Sequence, residues 1–324
     1  MSAVRPPDPG SIDLTTELCG LRLSHPVLNG SGTFDAIAAG RAFGDELRDR
    51  FPFSAFVSKT ITPEPRPGNP PPRIFETPAG MVNSIGLPNK GLYGFLRDDL
   101  PRLAELPVPL IVSVMGTSAE EFRRLVDGVA TRDEVAAVEL NVSCPNVKSG
   151  LIVGEQPGET VLLLNELRDL TAKPLIVKLT PNVADPAAVA IAAEEGGADA
   201  VSLVNTLKAM PIDRATLLPL LGSGRGGLSG PSIRPIALAQ VGAVATAVKI
   251  PVVGMGGIES GADALEFLAA GATAVAVGTA NFRDPLAAER VRSELVEGLA
   301  ERGLEGVGAV RGRALAPVAP STST

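Results

Sequence analysis

Two lysines, one cysteine and several asparagines stand where short apolar runs end. Lys59 closes the run Ala55–Lys59, and Lys178 falls within Leu175–Leu179. A lysine at a strand end is usually a solvated charge. Two of them delivered to one crowded rim point instead to an anionic or electron-rich ligand. The run Ala137–Asn141 leads into Asn141-Val142-Ser143-Cys144-Pro145-Asn146, so Cys144 lies three residues past a strand end, flanked by asparagines. Pro145 fixes the backbone there and removes a competing donor. A free thiol, with a pKa of about 8.5, is mostly protonated at neutral pH; a nearby cation or amide donors lower that value and make it a base or nucleophile. The residues alone leave a functional and a structural Cys144 equally open. The other cysteine, Cys19, precedes Gly20 in a short hairpin over 14–23 and reads as a small buried apolar residue.

The elements that position these groups form a repeat. Eight strand-length apolar runs, at 26–29, 55–59, 110–114, 137–141, 175–179, 200–205, 251–254 and 274–277, alternate with segments of helical period at 37–49, 91–104, 119–130, 160–170, 187–195, 233–248, 262–269 and 286–297. Near-continuous apolar strands separated by helices belong to a parallel sheet covered on both faces. Eight such units in 324 residues predict a (β/α)8 barrel rather than two smaller domains. In a barrel the chemistry gathers where strands end, and nearly every strand here ends in a polar, lysyl or glycyl residue. Two long connections, 61–90 and 207–230, have the length of loops that build a binding site. The segment 147–159 has the glycines of a mobile flap over Cys144.

Composition removes other chemistries. The chain has one histidine, His25, and two cysteines, too few for a multi-histidine metal site, a zinc ribbon, a four-cysteine iron–sulfur cluster or a disulfide framework. A net charge of −7 gives no basic field to attract nucleic acid or an anionic membrane. There is no signal-peptide core and no membrane-length apolar run, so a cytoplasmic protein is expected. Residues 1–13 and 313–324 read as flexible tails around a single domain over 14–312.

Gly222 to Gly227 satisfies the G-x-G-x-x-G pattern, but no helix opens after it and no acidic residue occurs before Glu259, so it is not a dinucleotide fingerprint. Gly230, before a helix, and the turns Gly256-Gly257 and Gly278-Thr279, after strands seven and eight, stand where barrels hold a phosphate. A phosphorylated ligand is the inference.

Five separated motifs then carry a resemblance: residues 59–70 (KTITPEPRPGNP), 83–89 (NSIGLPN), 141–146 (NVSCPN), 178–182 (KLTPN) and 254–257 (GMGG). Over about 14–310 the chain resembles class 1 dihydroorotate dehydrogenases, most closely the B-type catalytic subunit. The resemblance implies an FMN enzyme of pyrimidine biosynthesis that oxidises dihydroorotate to orotate. Cys144, where class 2 has serine, would take the C5 proton while hydride passes from C6 to flavin N5. Lys59 would lie near both substrate and flavin, and Lys178 near the pyrimidine end of the flavin. Asn83, Ile85, Gly86, Leu87, Asn141, Asn146, Asn205 and Thr206 would hold the substrate. Ser31, Gly32, Thr60, Ser113, Asn141 and Asn205 would flank the flavin, and Gly230, Gly256, Gly257, Gly278 and Thr279 its phosphate. Ser113 departs from the asparagine expected in the B-type, though a serine can still hydrogen-bond the flavin.

The B-type resemblance further implies a homodimer joined to a second subunit that carries FAD and a [2Fe–2S] cluster, with NAD+ as acceptor. Within the flavin barrels, a dihydropyrimidine dehydrogenase-type domain and a fumarate-linked A-type enzyme remain alternatives. In a different class stands a non-redox barrel that binds a phosphorylated ligand, in which Cys144 is structural. A yellow flavin band in the purified protein separates that class from the others.

Overall fold

The computed structural model describes residues 7–143 and 153–316. Two short antiparallel strands, β1 (Thr16–Leu18) and β2 (Leu21–Leu23), open the fold as the expected hairpin. Twelve more follow in chain order: β3 (Val27–Asn29), β4 (Phe56–Val57), β5 (Ile74–Thr77), β6 (Gly80–Asn83), β7 (Leu110–Val114), β8 (Val135–Asn141), β9 (Leu175–Lys178), β10 (Ala200–Leu203), β11 (Leu207–Ala209), β12 (Gly226–Ser229), β13 (Val252–Met255) and β14 (Ala274–Val277). Eight of them form one parallel sheet in the order β3-β14-β13-β10-β9-β8-β7-β4, and helices follow the strands. This is the (β/α)8 barrel, with all eight strands where the apolar runs predict them.

The seam between β3 and β4 carries no strand ladder and is closed by other bonds. Ser54 N–H donates to the Val27 carbonyl at 3.0 Å. The side-chain amide of Asn29 then behaves as an extra peptide group, donating to the Val57 carbonyl and accepting from the Val57 N–H, each at 2.8 Å. Asn29 is therefore a barrel-closing residue, fully buried because both faces of its amide are satisfied.

Two apolar cores result. One lies between strands and helices; the other fills the barrel with Leu28, Ile111, Ala137, Ile176 and Val253, and includes Leu18 and Leu23 of the hairpin, both 0 % exposed. Thr16 Oγ1 donates to the Thr273 carbonyl just before β14, so the hairpin plugs the barrel at the end where strands begin. Burial of two leucines contributes roughly 1.5–3 kcal/mol each there.

Several sequence readings are refined. The helix expected over 37–49 breaks at Gly44 into Ala36–Phe43 and Asp45–Asp49. The one expected over 91–104 contains a wide π turn at Phe95–Asp99, next to Pro101, whose missing N–H interrupts the α ladder. The segment 147–159, expected as a flap, carries regular structure in its described part. Val153 and Gly154 are buried in a 3-10 turn and Pro157 opens a helix; residues 147–152 lie outside the described residues. Near the ends, Asp13 bridges to Gly306, and Arg313–Leu315 forms a 3-10 turn. The largest departure concerns the two long loops: β5, β6, β11 and β12 come from them and assemble into an antiparallel sheet in the order β11-β12-β6-β5.

Candidate active site

At the C-terminal ends of the barrel strands lies a cavity of about 590 Å³, within the roughly 300–1,000 Å³ of small-molecule sites. Three groups of residues build it. The barrel contributes Lys59 and Thr60 after β4, Asn141 at the end of β8, Lys178 at the end of β9 and Asn205 and Thr206 after β10. The antiparallel sheet contributes Asn83 of β6, and the segment that follows it brings Ile85, Gly86 and Leu87. The rim is Ser31 and Gly32 after β3, Gly230 after β12, Gly256 and Gly257 after β13, and Gly278 and Thr279 after β14. Residues from more than 240 positions of chain thus meet in one space, as the strand-end pattern predicts.

Ser113 does not join them. It is 0 % exposed, closed off from the cavity, and its hydroxyl is engaged by Thr60 Oγ1 at 2.9 Å and Glu139 Oε1 at 3.0 Å. Ser113 is therefore not brought into the cavity wall with the other expected flavin-flanking residues; Thr60, to which it is bonded, is. Cys144 and Asn146 lie outside the described residues. The neighbouring Ser143 is described, and its Oγ accepts from Asn205 Nδ2 at 3.0 Å, tying the approach to Cys144 to the end of β10.

The two cations differ. Lys178 is buried, lines the cavity and has no hydrogen-bond partner among the described residues. Lys59 is open to the cavity, where the enclosing walls strip part of its hydration and lower its pKa, while Asp35 pulls weakly the other way. It lies across Gly32, where an added Cβ would stand 3.6 Å from Lys59 Cγ and 3.7 Å from Nζ. Asn83 Nδ2 donates to the Gly227 carbonyl at 3.3 Å, and Thr206 N–H to Asn205 Oδ1 at 2.9 Å, so the asparagines are held while keeping groups for a ligand.

The rim fits a phosphate. Gly257 adopts φ 84° and Gly230 φ 94°. An added Cβ at 257 would stand 2.8 Å from the Gly230 carbonyl oxygen, and one at 230 would stand 2.8 Å from Gly80 Cα. Only glycine permits this close approach of three backbone segments. The N–H groups of Gly230, Gly257, Gly278 and Thr279 take no intramolecular partner among the described residues, leaving donors for an anion.

Sequence reasoning passed over Asn69, Ser84 and Ser229, which also line the cavity. Asn69 Nδ2 donates to Ser84 Oγ at 2.8 Å and joins the proline-rich segment to the strand carrying Asn83. It also passed over Asn89, which accepts from Gly91 N–H at 2.8 Å and donates to Thr62 Oγ1 and the Leu87 carbonyl at 2.9 Å each, shaping the turn that presents Leu87. The signal was available in the Asn-x-Gly spacing of 89–91, which suits a side-chain-stabilised turn. Away from the cavity, Cys19 turns the hairpin, partly buried, and burial pushes its thiol up to about 12, which suits the inert role expected of it. His25 is buried before β3, at the opposite end of the barrel.

A family model for dihydroorotate dehydrogenase matches residues 13–299. The chain belongs to the dihydroorotate dehydrogenase family. Curated relatives agree over nearly their whole lengths. A protein of Desulforudis audaxviator is 48% identical over 298 residues, covering 92% of this chain and 96% of the relative. One of Geotalea uraniireducens is 46% identical over 299 residues (92% and 97%), and one of Geobacter sulfurreducens 46% over 299 (91% and 96%). Each is named dihydroorotate dehydrogenase B (NAD(+)), catalytic subunit. Membership makes this chain an oxidoreductase that converts dihydroorotate to orotate in pyrimidine synthesis, with a flavin as redox group. No helix among the described residues is long and apolar enough to cross a membrane.

Proposed function

We propose that this chain is the FMN-binding catalytic subunit of an NAD+-linked dihydroorotate dehydrogenase. The observation that carries the proposal is the junction of two buried or half-enclosed lysines, a set of asparagine and threonine side chains and an unpartnered glycine rim in one cavity. The rim fits the phosphate of FMN, and the walls fit a ring with amide donors and acceptors. When bound, FMN supplies the acceptor for the hydride from C6 of dihydroorotate.

The residues of the chain divide the remaining work. Cys144 removes the proton from C5, and Asn205, through Ser143, holds the approach to it. Asn83, Asn141, Asn146, Asn205 and Thr206, with the backbone at Ile85, Gly86 and Leu87, orient the substrate. Lys59 reaches both ligands. Lys178, buried in the cavity wall, faces the negative charge that develops as electrons arrive. Ser31, Gly32 and Thr60 flank the cofactor.

Electrons then leave through another polypeptide. Two cysteines in the whole sequence are too few for four thiolate ligands, so a [2Fe–2S] cluster and FAD belong to a partner subunit. The expected assembly is a homodimer of this chain flanked by two such partners, acting in the cytoplasm without nucleic acid or membrane.

Anaerobic titration of the yellow protein with dihydroorotate tests the assignment. The flavin band bleaches in the wild type and stays in Cys144→Ala. A protein without flavin absorption, or an undiminished rate in Cys144→Ala at neutral pH, overturns it. Copurification with an orange-brown partner that confers NAD+ reduction supports the B-type; efficient fumarate reduction by the isolated chain supports the A-type instead.

A further inference from the structure

Below the cavity floor a row of hydroxyl groups runs into the barrel. Ser31 Oγ and Thr60 Oγ1 are 3.1 Å apart, Thr60 Oγ1 and Ser113 Oγ 2.9 Å, and Ser113 Oγ donates to Glu139 Oε1 at 3.0 Å. The other carboxylate oxygen, Glu139 Oε2, accepts from Ser202 Oγ at 3.1 Å. Ser31 and Thr60 line the cavity beside Lys59; Ser113, Glu139 and Ser202 are at most 3 % exposed. Glu139 pairs with Ser113 across β7–β8 and with Ile176 across β8–β9, and it shares the barrel interior with Ile111, Val253 and Ala276.

A carboxylate in such a place must serve a purpose, because burying it costs more than an apolar side chain of the same shape. Among the described residues it forms no ion pair within 4.0 Å. Lys178, in register with Asn141 two residues beyond Glu139, supplies a cation one layer higher. Both oxygens of the Glu139 carboxylate accept, one from Ser113 and one from Ser202. Ser113 and Ser202 must then each spend their single proton on it. With Ser113 committed downward and Ser31 Oγ donating to the Ser58 carbonyl at 2.8 Å, neither neighbour has a proton left for Thr60, whose own proton stays in the row, on Ser113 at 2.9 Å rather than on Ser31 at 3.1 Å. The Thr60 oxygen is left with lone pairs only for what lies above it.

We infer that Ser113, anchored by Glu139, is a positioning residue that fixes the Thr60 hydroxyl as a hydrogen-bond acceptor toward a ring N–H in the cavity. The inference rests on the flavin reading of the cavity and names which side chain of its floor meets the ring with a defined polarity. Ser202 makes the same bond to the same carboxylate but no hydrogen bond to Thr60, so it is the internal control for that contact.

The test uses the holoprotein and measures thermal stability, FMN dissociation and the midpoint potential of the bound flavin in Ser113→Ala, Ser202→Ala, Thr60→Val and Thr60→Ser. Both Ser113→Ala and Ser202→Ala lower the melting temperature, since each takes one bond from Glu139. Only Ser113→Ala and Thr60→Val weaken FMN, by about tenfold for one net hydrogen bond, and shift its potential. Thr60→Ser keeps the wild-type values, and the Ser113→Ala/Thr60→Val double variant is no worse than Thr60→Val alone. Should Ser113→Ala fail to fold, Thr60→Val against Thr60→Ser reads the same contact without touching Glu139. Equal flavin effects in Ser113→Ala and Ser202→Ala, additive effects in the double variant, or wild-type flavin properties in Thr60→Val overturn the inference while leaving the flavin reading intact. A wild-type protein that takes up no FMN overturns both.

Discussion

The single histidine allows a sharp test of how the lower end of the barrel is built. His25 is 5 % exposed, and its Nδ1 accepts a hydrogen bond from the Val27 N–H at 3.3 Å. That bond requires the neutral ring with its proton on Nε2; protonation would set two donors against each other. Burial, helped by Arg292, lowers the pKa of His25 from 6.5 to about 4. The unfolded chain therefore binds a proton on His25 near pH 6.5, before the folded chain does. Stability from this residue is complete above pH 6.5 and is lost as pH falls toward the folded value. Linkage between 6.5 and about 4 gives a loss of about 2 kcal/mol from pH 7 to pH 5, rising to about 3 kcal/mol at pH 4.

Carboxylates titrate over part of the same range, so the measurement is a difference. His25→Asn keeps an acceptor oxygen near the place of Nδ1 but does not titrate. Urea unfolding of both proteins at pH 7, 6, 5 and 4 should show the wild type losing stability relative to His25→Asn by those amounts. The one histidine resonance of the folded protein should stay in its neutral position down to pH 5. A constant difference across the range, or a folded-state titration near pH 6.5, would refute the reasoning. Catalysis at pH 7 should be unchanged in His25→Asn, because the residue lies at the end of the barrel away from the cavity.

Four further outcomes follow from the site and the plug. Lys178→Ala should slow flavin reduction by dihydroorotate in stopped flow by roughly 10²–10³-fold, with a lower flavin midpoint potential, because it removes the buried cation. Cys144→Ser should lose about 10²–10⁴-fold in the reductive half-reaction at neutral pH and recover as pH rises, a hydroxyl being a far weaker acid than a thiol. Gly257→Ala should release FMN at least about tenfold more readily in equilibrium dialysis, since a side chain in this left-handed conformation costs about 1–2 kcal/mol before its clash with the Gly230 carbonyl is counted. Leu18→Ala should cost about 2–5 kcal/mol in denaturant unfolding with an unchanged flavin spectrum, because Leu18 seals the barrel from below.

The barrel was legible because its strands are buried on both faces, which forces continuous apolar runs such as Leu110–Val114 and Leu175–Lys178 that no other element resembles. The polar residues after those runs had to share one face, so Lys59, Lys178 and Asn141 could be placed together before any coordinates. The antiparallel sheet was not read, although Ile74–Thr77 and Gly80–Asn83 form a hairpin around Pro78-Ala79. Prolines and glycines dominate both loops, and the partners β6 and β12 lie more than 140 residues apart, so no local pattern announces their pairing. The glycines of β12 show why: an added Cβ at Gly227 would stand 2.5 Å from Thr206 Cβ, so the strand gives up side chains to let a cavity-lining threonine in. Ser113, expected beside the flavin, lies behind the cavity wall for a related reason. Strand position predicts the face a residue occupies but not the length of its side chain against the residue that stands between it and the cavity.

The barrel thereby divides its labour along its axis. In the lower half, Leu18, Leu23, Ala137 and Ala274 pack an apolar plug, and burial keeps His25 and Cys19 beside it neutral. In the upper half, Glu139, Lys178, Ser113 and Ser202 replace that packing with ionisable and hydroxyl groups, which cost more to bury than apolar side chains of the same shape. Substitutions at the two ends should therefore separate in their effects. Those near the hairpin change unfolding free energy and its pH dependence while the flavin spectrum and potential stay fixed. Those at Lys178, Ser113 and Thr60 change the potential by more than their effect on stability would suggest, while Ser202→Ala changes stability alone. A lower-end variant that shifted the flavin potential would show that the two halves are mechanically coupled through the strands, and the division would then be one of composition alone.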